Sequence, residues 1–232
     1  MHHKDKVICG PFYYNYYGLV MTRLHAEQSS SFGVVILAAG QSARMGRPKL
    51  LLPWGNTSVL GHLIKQWRTL RAKQIAVVCA SGDHAIQMEL DRLGFPAANR
   101  IVNPTPQHGM FSSVQCAAQW LEWQASLTRW AIVLGDQPHL ERPTLRQVLE
   151  FSAAQPSRVC QPGRKGHGRH PVLLPKAVFR QVARSTATTL KEFLAGKSRK
   201  VALCELEDLG LDMDIDRPQD YQEALKLAGI SL

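Results

Sequence analysis

Apolar positions in this chain alternate between short β-branched runs and longer stretches with helical spacing, starting at Val34. Val34, Val35 and Ile36 form a continuous run of the kind buried on both faces of a sheet. The run breaks at Gly40 into a loop carrying Gly46, Arg44 and Lys49. Beyond it, Val59, Leu60, Leu63, Ile64, Trp67 and Leu70 recur at the intervals of one helix face, with Thr57 and Ser58 placed to cap that helix. Residues 75–79 read as a second strand, and residues 83–93 as a helix ending at Gly94. Residues 101–102 make a short third strand. The turn residues Asn103, Pro104 and Pro106 then lead to Gly109, which opens a helix to about Trp123.

Residues 130–134 are continuously apolar and run into Gly135, Asp136, Gln137 and Pro138, which puts the sheet centre here. Pro143, suited to a first helical position, starts a helix to about Ala154. Residues 158–160 and 171–174 read as two strands flanking a polar loop, and residues 177–183 and 188–194 as helices. A strand at 200–204 and a helix at 220–228 close the chain. This alternation predicts an α/β protein whose mainly parallel sheet is covered on both faces. Residues 1–31 read as a poorly ordered appendage and 32–232 as one domain. The first strand needs nothing upstream, so translation is expected to begin near Met21.

Composition narrows the class. A chain of 232 residues with 45% hydrophobic content and no apolar tract of about 18 residues can bury one sizeable core and has no membrane span. The net charge is +10, and residues 1–30 supply only one unit of it (Lys4, Lys6 and Arg23 against Asp5 and Glu27). The basic excess suits an anionic partner. No dense basic block with interleaved aromatics marks a nucleic-acid face, so small phosphates are favoured over nucleic acid. Cys9, Cys79, Cys116, Cys160 and Cys204 are odd in number and widely spaced, which fits a reduced, cytoplasmic protein without a structural zinc site.

In open parallel sheets, ligands gather beyond the carboxyl ends of the strands, and three candidate groups fall at such ends. The first is the loop after residue 36. Its small residues let backbone N–H groups approach phosphate oxygens, and Arg44 and Lys49 add charge. It has neither P-loop spacing nor the dinucleotide-binding glycine pattern, and local chemistry alone equally allows an ordinary turn with surface cations. The second is Asp136, which either faces a cation such as Mg²⁺ accompanied by phosphates or caps a turn. The third is Asp212, Asp214 and Asp216, which share one side if that stretch is extended. The competing reading is a turn with Asp216 as helix cap. His62 and His84 fall on helix surfaces, and His108, His139, His167 and His170 fall in loops at no metal-ligand spacing. Ser42, Ser112 and Ser113 are placed to hydrogen-bond phosphate or ribose rather than to attack, and Trp120 and Trp123 read as helix packing residues.

Five motifs in order carry a resemblance: Leu-Ala-Ala-Gly-Gln-Ser-Ala-Arg-Met-Gly-Arg-Pro-Lys-Leu-Leu-Leu-Pro (37–53), Gly-Met-Phe-Ser-Ser (109–113), Leu-Gly-Asp-Gln-Pro (134–138), His-Pro-Val-Leu (170–173) and Asp-Ile-Asp-Arg-Pro-Gln-Asp-Tyr (214–221). Over about residues 33–228 the chain resembles the MobA-like nucleotidyltransferases, most of all their molybdenum cofactor cytidylyltransferase branch. The resemblance implies a Rossmann-like three-layer α/β/α nucleotide-diphospho-sugar transferase fold. It also implies Mg²⁺-dependent transfer of CMP from CTP to the phosphate of molybdopterin, with a molybdenum hydroxylase as a possible recipient of the product. Carried onto matching positions, Leu37, Ala38, Ala39 and Gly40 hold base and ribose through backbone contacts. Arg44 and Lys49 contact the triphosphate, and Asp136 is a Mg²⁺ ligand with Asp216, or else Asp214, as its partner. Asn103, Gly109 and Ser113 line the nucleotide and acceptor side, and Ser81 is a weaker candidate for base recognition.

Guanylyltransferases of the same superfamily usually carry Leu-Ala-Gly-Gly where this chain has Leu-Ala-Ala-Gly, which favours cytidine, since the methyl of Ala39 narrows the space beside the base. Many relatives read Gly-His-Pro where Arg169 precedes His170 here, placing a cation on the expected path of the acceptor. The alternatives are a nucleotidyltransferase acting on a sugar or polyol phosphate and a non-catalytic accessory protein that holds a nucleotide-bearing cofactor.

Overall fold

The structure is a computed structural model that describes residues 31–40, 45–196 and 200–231. The appendage up to residue 30, and Ser42 and Arg44 of the first loop, lie outside the described residues. Strand β1 (Phe32–Ala38) is buried along its whole length, as its unbroken apolar run requires. A short ribbon of β2 (Pro53–Trp54) and β3 (Thr57–Ser58) leads into helix α1 (Val59–Thr69), whose first turn is capped by the Ser58 hydroxyl accepting from Gly61 N at 3.0 Å. Next come β4 (Gln74–Ala80), α2 (His84–Arg92), β5 (Arg100–Asn103) and α3 (Met110–Gln119). Strand β6 (Arg129–Leu134) is followed by α4 (Arg142–Ala153), then β7 (Val159–Arg164), β8 (His167–Gly168) and β9 (Val172–Pro175). The remaining elements are α5 (Lys176–Val182), α6 (Leu190–Ala195), β10 (Val201–Glu205) and α7 (Pro218–Leu227).

The sheet runs β10-β7-β9-β6-β1-β4-β5, with β8 paired to β7. The expected centre is correct: β6 lies parallel to β1, with Val35 opposite Ile132. Strand β4 is parallel to β1 on its other side, and β5 to β4. Strand β9 runs antiparallel to both β6 and β7, so the sheet is mostly but not wholly parallel. Alternation along β1 sends Val34, Ile36 and Ala38 to one face and Val35 and Leu37 to the other. The first face packs against apolar residues of α1, α2, α4 and α7, including Leu63, Leu90, Val148 and Ala224. The second packs against α3, α5 and α6 through Phe111, Phe179 and Phe193. The outcome is a three-layer α/β/α architecture.

Two details differ from the sequence reading. Helix α3 stops at Gln119 rather than near Trp123, because Trp120 turns extended (φ −68°, ψ 131°). Trp123 returns toward the helix and its indole N–H donates to Ala117 O at 2.8 Å, satisfying a terminal carbonyl that the helix leaves open. Trp120 and Trp123 are therefore not side chains of a helix; they form an edge-on pair with ring centroids 4.9 Å apart, and Trp123 also meets Trp130 and Phe179 edge-on. The polar loop expected at 161–170 is mostly a hairpin. Lys165 (φ 53°) and Gly166 (φ 75°) turn β7 back into β8 with the positive φ values that a two-residue hairpin turn needs. No helix among the described residues is long and apolar enough to cross a membrane. Ile132 is fully buried at the middle of the central strand. Ile132→Ala is expected to lower stability by about 2–5 kcal/mol, read as a shift in the urea midpoint at unchanged slope.

Candidate active site

The carboxyl ends of β1 and β6 and the start of α3 enclose a cavity of about 550 Å³ lined by Leu37, Ala39, Gly40, Lys49, Gly109, Ser113 and Asp136 among others. Lys49 enters it from a tight 3-10 turn over Lys49–Leu51, directly after Pro48. Leu50 of this turn lies over Gly135. A Cβ built on Gly135 would fall 2.7 Å from Leu50 Cδ2 and 2.8 Å from Leu37 O, so only glycine lets the turn settle on the end of β6. Lys49 Nζ is thereby brought to 2.6 Å from Asp136 Oδ2 and 3.5 Å from Asp216 Oδ1, and it also donates to Ile215 O at 3.2 Å. The Lys49 and Asp136 side chains are 17% and 19% exposed, so this pair is only partly screened by water.

The acidic stretch is tied to the same point. Ile215 N donates to Asp136 O at 3.0 Å, and buried Gln137 donates to Asp214 Oδ1 at 2.8 Å. Burial pushes the Asp214 carboxyl above the usual aspartate range, and the negative charges of Asp136 and Asp216 push the same way against the opposing effect of the Gln137 hydrogen bond and Lys49. Asp216 does not cap α7. That role belongs to Asp220, which accepts from Arg217 N at 2.7 Å and from Asp216 N at 3.0 Å and so fixes the Asp216 backbone. The three alternating carboxylates do not share one side either. Asp212 ends a 3-10 turn (Leu209–Asp212) and is held by Arg164 and by Arg169, whose Nη2 donates at 2.7 Å. These guanidinium partners keep the Asp212 carboxyl below its ordinary range.

Asp136 Oδ1 is buried without a hydrogen-bond partner while its residue lines the cavity, which leaves an oxygen available to a cation. No group of three or more His, Cys, Asp or Glu among the described residues forms a ready-made metal cage. The donor set nevertheless fits Mg²⁺, an ion usually held by one or two carboxylates while waters and substrate phosphates complete its coordination.

The other predicted residues separate into groups. Gly109 and Ser113 line the cavity, with Gly109 at φ 87° opening α3. Asn103 is fully buried; its amide donates to Ser112 Oγ and Ser113 Oγ at 2.8 and 2.9 Å, so it holds the start of α3 against β5. Ala38 points its side chain into the core beneath the cavity, whereas Leu37 and Ala39 line it. Ser81 follows β4, with its backbone N–H bonded to Asn103 O, and is not among the lining residues. Sequence reasoning missed Gly135 and Gln137, although both sit within the Leu-Gly-Asp-Gln-Pro motif: a glycine wedged between an apolar strand and a carboxylate signals close packing. It also missed Tyr221, which donates from α7 to Pro53 O and braces the segment after Lys49.

The family model for the MobA-like NTP transferase domain matches residues 34–202. The chain belongs to the MobA-like NTP transferase family. Members of this family are nucleotidyltransferases, and this MobA-like chain is 26% identical to the molybdenum cofactor cytidylyltransferase of Escherichia coli K12 over 194 residues, covering 83% of this chain and 94% of that protein. A crystal structure of Rv0371c from Mycobacterium tuberculosis H37Rv superposes with a TM-score of 0.69 at 24% identity, covering 85% of this chain and 98% of that one. A manganese complex of the same mycobacterial protein gives 0.62 at 21% identity, covering 84% and 98%.

Two outcomes follow for the MobA-like site. Gly135→Ala, which must displace Leu50, is expected to cost about 1–3 kcal/mol in urea unfolding. His170 donates from Nδ1 to Ile132 O (3.3 Å), and burial lowers its pKa from 6.5, partly offset by that bond and by Asp136. The unfolded chain therefore takes up this proton more readily, and stability falls as pH drops below about 6.5. His170→Gln is expected to flatten that fall in thermal melts between pH 7 and pH 5. Some slope remains from His62, whose pKa burial also lowers.

Proposed function

We propose that the chain is a cytoplasmic, Mg²⁺-dependent cytidylyltransferase that moves CMP from CTP to the phosphate of molybdenum-bearing molybdopterin, giving molybdopterin cytosine dinucleotide and pyrophosphate. The observation that carries this reading is the meeting of Lys49 and Asp136, which line a cavity of nucleotide size, with Asp216 beside the lysine. The printed name of the Escherichia coli relative supports the choice of cofactor and base.

The reaction needs no protein nucleophile. An oxygen of the acceptor phosphate attacks the α-phosphorus in line, the bond from that phosphorus to the bridging oxygen breaks, and pyrophosphate departs with the electron pair. Asp136, with Asp216 or Asp214 nearby, would hold Mg²⁺, which when bound supplies positive charge beside the phosphate oxygens. Lys49 and Arg44 contact the triphosphate, and the lysine suits moving oxygens because its ammonium is a compact charge on a flexible stem. Leu37, Ala38, Ala39 and Gly40 seat base and ribose, with the Ala39 methyl disfavouring a purine. Gly109 and Ser113 present the N-terminal end of α3, which lacks a capping side chain and so offers backbone donors to phosphate. Asn103 acts through Ser113, and Ser81 is a candidate contact of the base edge. Positioning and electrostatics supply the rate.

Arg169 bears on the acceptor. Its guanidinium is engaged by Asp212 through Nε and Nη2, so the cation that replaces the usual glycine does not enter the acceptor path uncompensated. That supports the pterin over a sugar or polyol phosphate. A molybdenum hydroxylase is the proposed recipient of the product.

Asp136→Asn, purified folded, is expected to retain CTP binding and to release pyrophosphate at least about 10²-fold more slowly; undiminished turnover sinks the assignment. Pyrophosphate release measured with CTP and with GTP, each with and without the pterin, should require both CTP and the pterin. Release driven by a polyol phosphate instead would replace the acceptor.

A further inference from the structure

Lys49 faces the oxygen types that a hard cation takes as ligands. Nζ lies 2.6 Å from Asp136 Oδ2, 3.5 Å from Asp216 Oδ1 and 3.2 Å from Ile215 O, two carboxylates and a backbone carbonyl. An ammonium has three N–H donors and can address all three at once. The backbone beneath it is fixed, since Leu50 is wedged on Gly135. The stem above it has four methylenes between that backbone and the charge, the length by which an ammonium can be re-aimed without moving the chain.

We propose that Lys49 is the resident counter-cation of Asp136 and Asp216, and that a divalent ion gains tight access to these carboxylates only when a nucleoside triphosphate draws the ammonium away. The inference rests on the reading of Asp136 and Asp216 as the metal carboxylates, and it adds a binding order to that reading. Ammonium and metal compete for the charge of one carboxylate, since an ion on the unpartnered Asp136 Oδ1 would sit against the ammonium held on Oδ2, while triphosphate oxygens and carboxylates compete for the ammonium. Neither ligand alone relieves both competitions. A divalent ion arriving first must displace, or bind against the repulsion of, a cation 2.6 Å from its carboxylate in a partly buried site, and that charge has no phosphate to receive it. A triphosphate arriving first takes the lysine and leaves the carboxylate pair without its ammonium. By linkage, each ligand raises the affinity of the other. The lysine thus offsets part of the negative charge of the acidic pair between turnovers and reserves it for the metal that comes with nucleotide. A lysine that served only to bind phosphate would leave nucleotide-free metal affinity unchanged on removal.

The test is nucleotide-free Mn²⁺ affinity of the full chain, followed by electron paramagnetic resonance of the free ion. Lys49→Gln is expected to bind Mn²⁺ about tenfold more tightly than wild type, within the roughly 5–150-fold span of such couplings. Lys49→Arg, which keeps the charge, should stay near wild type. Lys49→Met gives a second neutral variant should the glutamine fail to fold, with near-ultraviolet circular dichroism as the check. Equal or weaker binding by the neutral variants overturns the inference. Asp136→Asn in the Lys49→Gln background separates the two readings. If it abolishes the gain, the ion sits where proposed. If the gain survives, the metal assignment itself fails and the inference falls with it. If Asp136→Asn alone abolishes turnover while Lys49→Gln gains no affinity, the metal reading stands and only the lysine inference is lost.

Discussion

The contact between Lys49 and Asp136 closes a loop of 87 residues and joins the segment after β1 to the end of β6. Neither side chain could be held half-buried alone, because an ionised group taken out of water needs an opposite charge or hydrogen bonds to replace its hydration. The surrounding structure serves that pairing. Gly135 lets the Lys49 turn descend onto the strand, the Ile215 backbone docks on Asp136 O, and the Tyr221 hydroxyl holds Pro53 from the side of α7. The last helix therefore steadies both partners: its entry carries Asp216, and its buried face braces the chain that follows Lys49.

The strand order explains why these groups meet. Strands β1 and β6 are parallel neighbours in register, so their carboxyl ends finish side by side and whatever follows each strand must share one crevice. Strand β5, two places from β1, brings Asn103 to the same edge, and the Asn103 amide turns that arrival into a fixed position for Ser113. This side of the cavity is thus assembled from the consequences of one parallel ladder.

Much of this was readable in the residues. Unbroken runs such as 34–36 and 130–134 mark buried strands because burial on both faces removes the need for alternation. Asp136 stands out because a charge directly after such a run needs a reason, and Lys49 because it is a cation in a glycine-bearing loop at a strand end. Four things were not readable for physical reasons. Apolar periodicity carries no direction, so the reversal of β9 had no signal. The end of α3 depends on an indole four residues further on folding back to Ala117 O, a tertiary contact that local propensity does not encode. The separation of Asp212 from Asp214 and Asp216 required knowing that two arginines of a distant hairpin would claim it. The pairing of Lys49 with the carboxylates, rather than with phosphate alone, also emerges only in three dimensions.

The reversed strand has an architectural result. Because β9 runs antiparallel to β6, its beginning, not its end, lies at the crevice, and the β7–β8 hairpin that precedes it is delivered to the same edge. The sheet is therefore made of two modules of opposite origin. One is a parallel unit of β6, β1, β4 and β5 whose loops follow its strands. The other is a folded-back unit whose loop precedes its strand. They are sewn together along a single seam, the four residue pairs from Arg129↔Pro175 to Ile132↔Val172. The residues beyond that seam can lengthen, shorten or exchange charge without moving the register of the parallel unit. A fold built this way can revise one wall of its crevice while the opposite wall stays as it was.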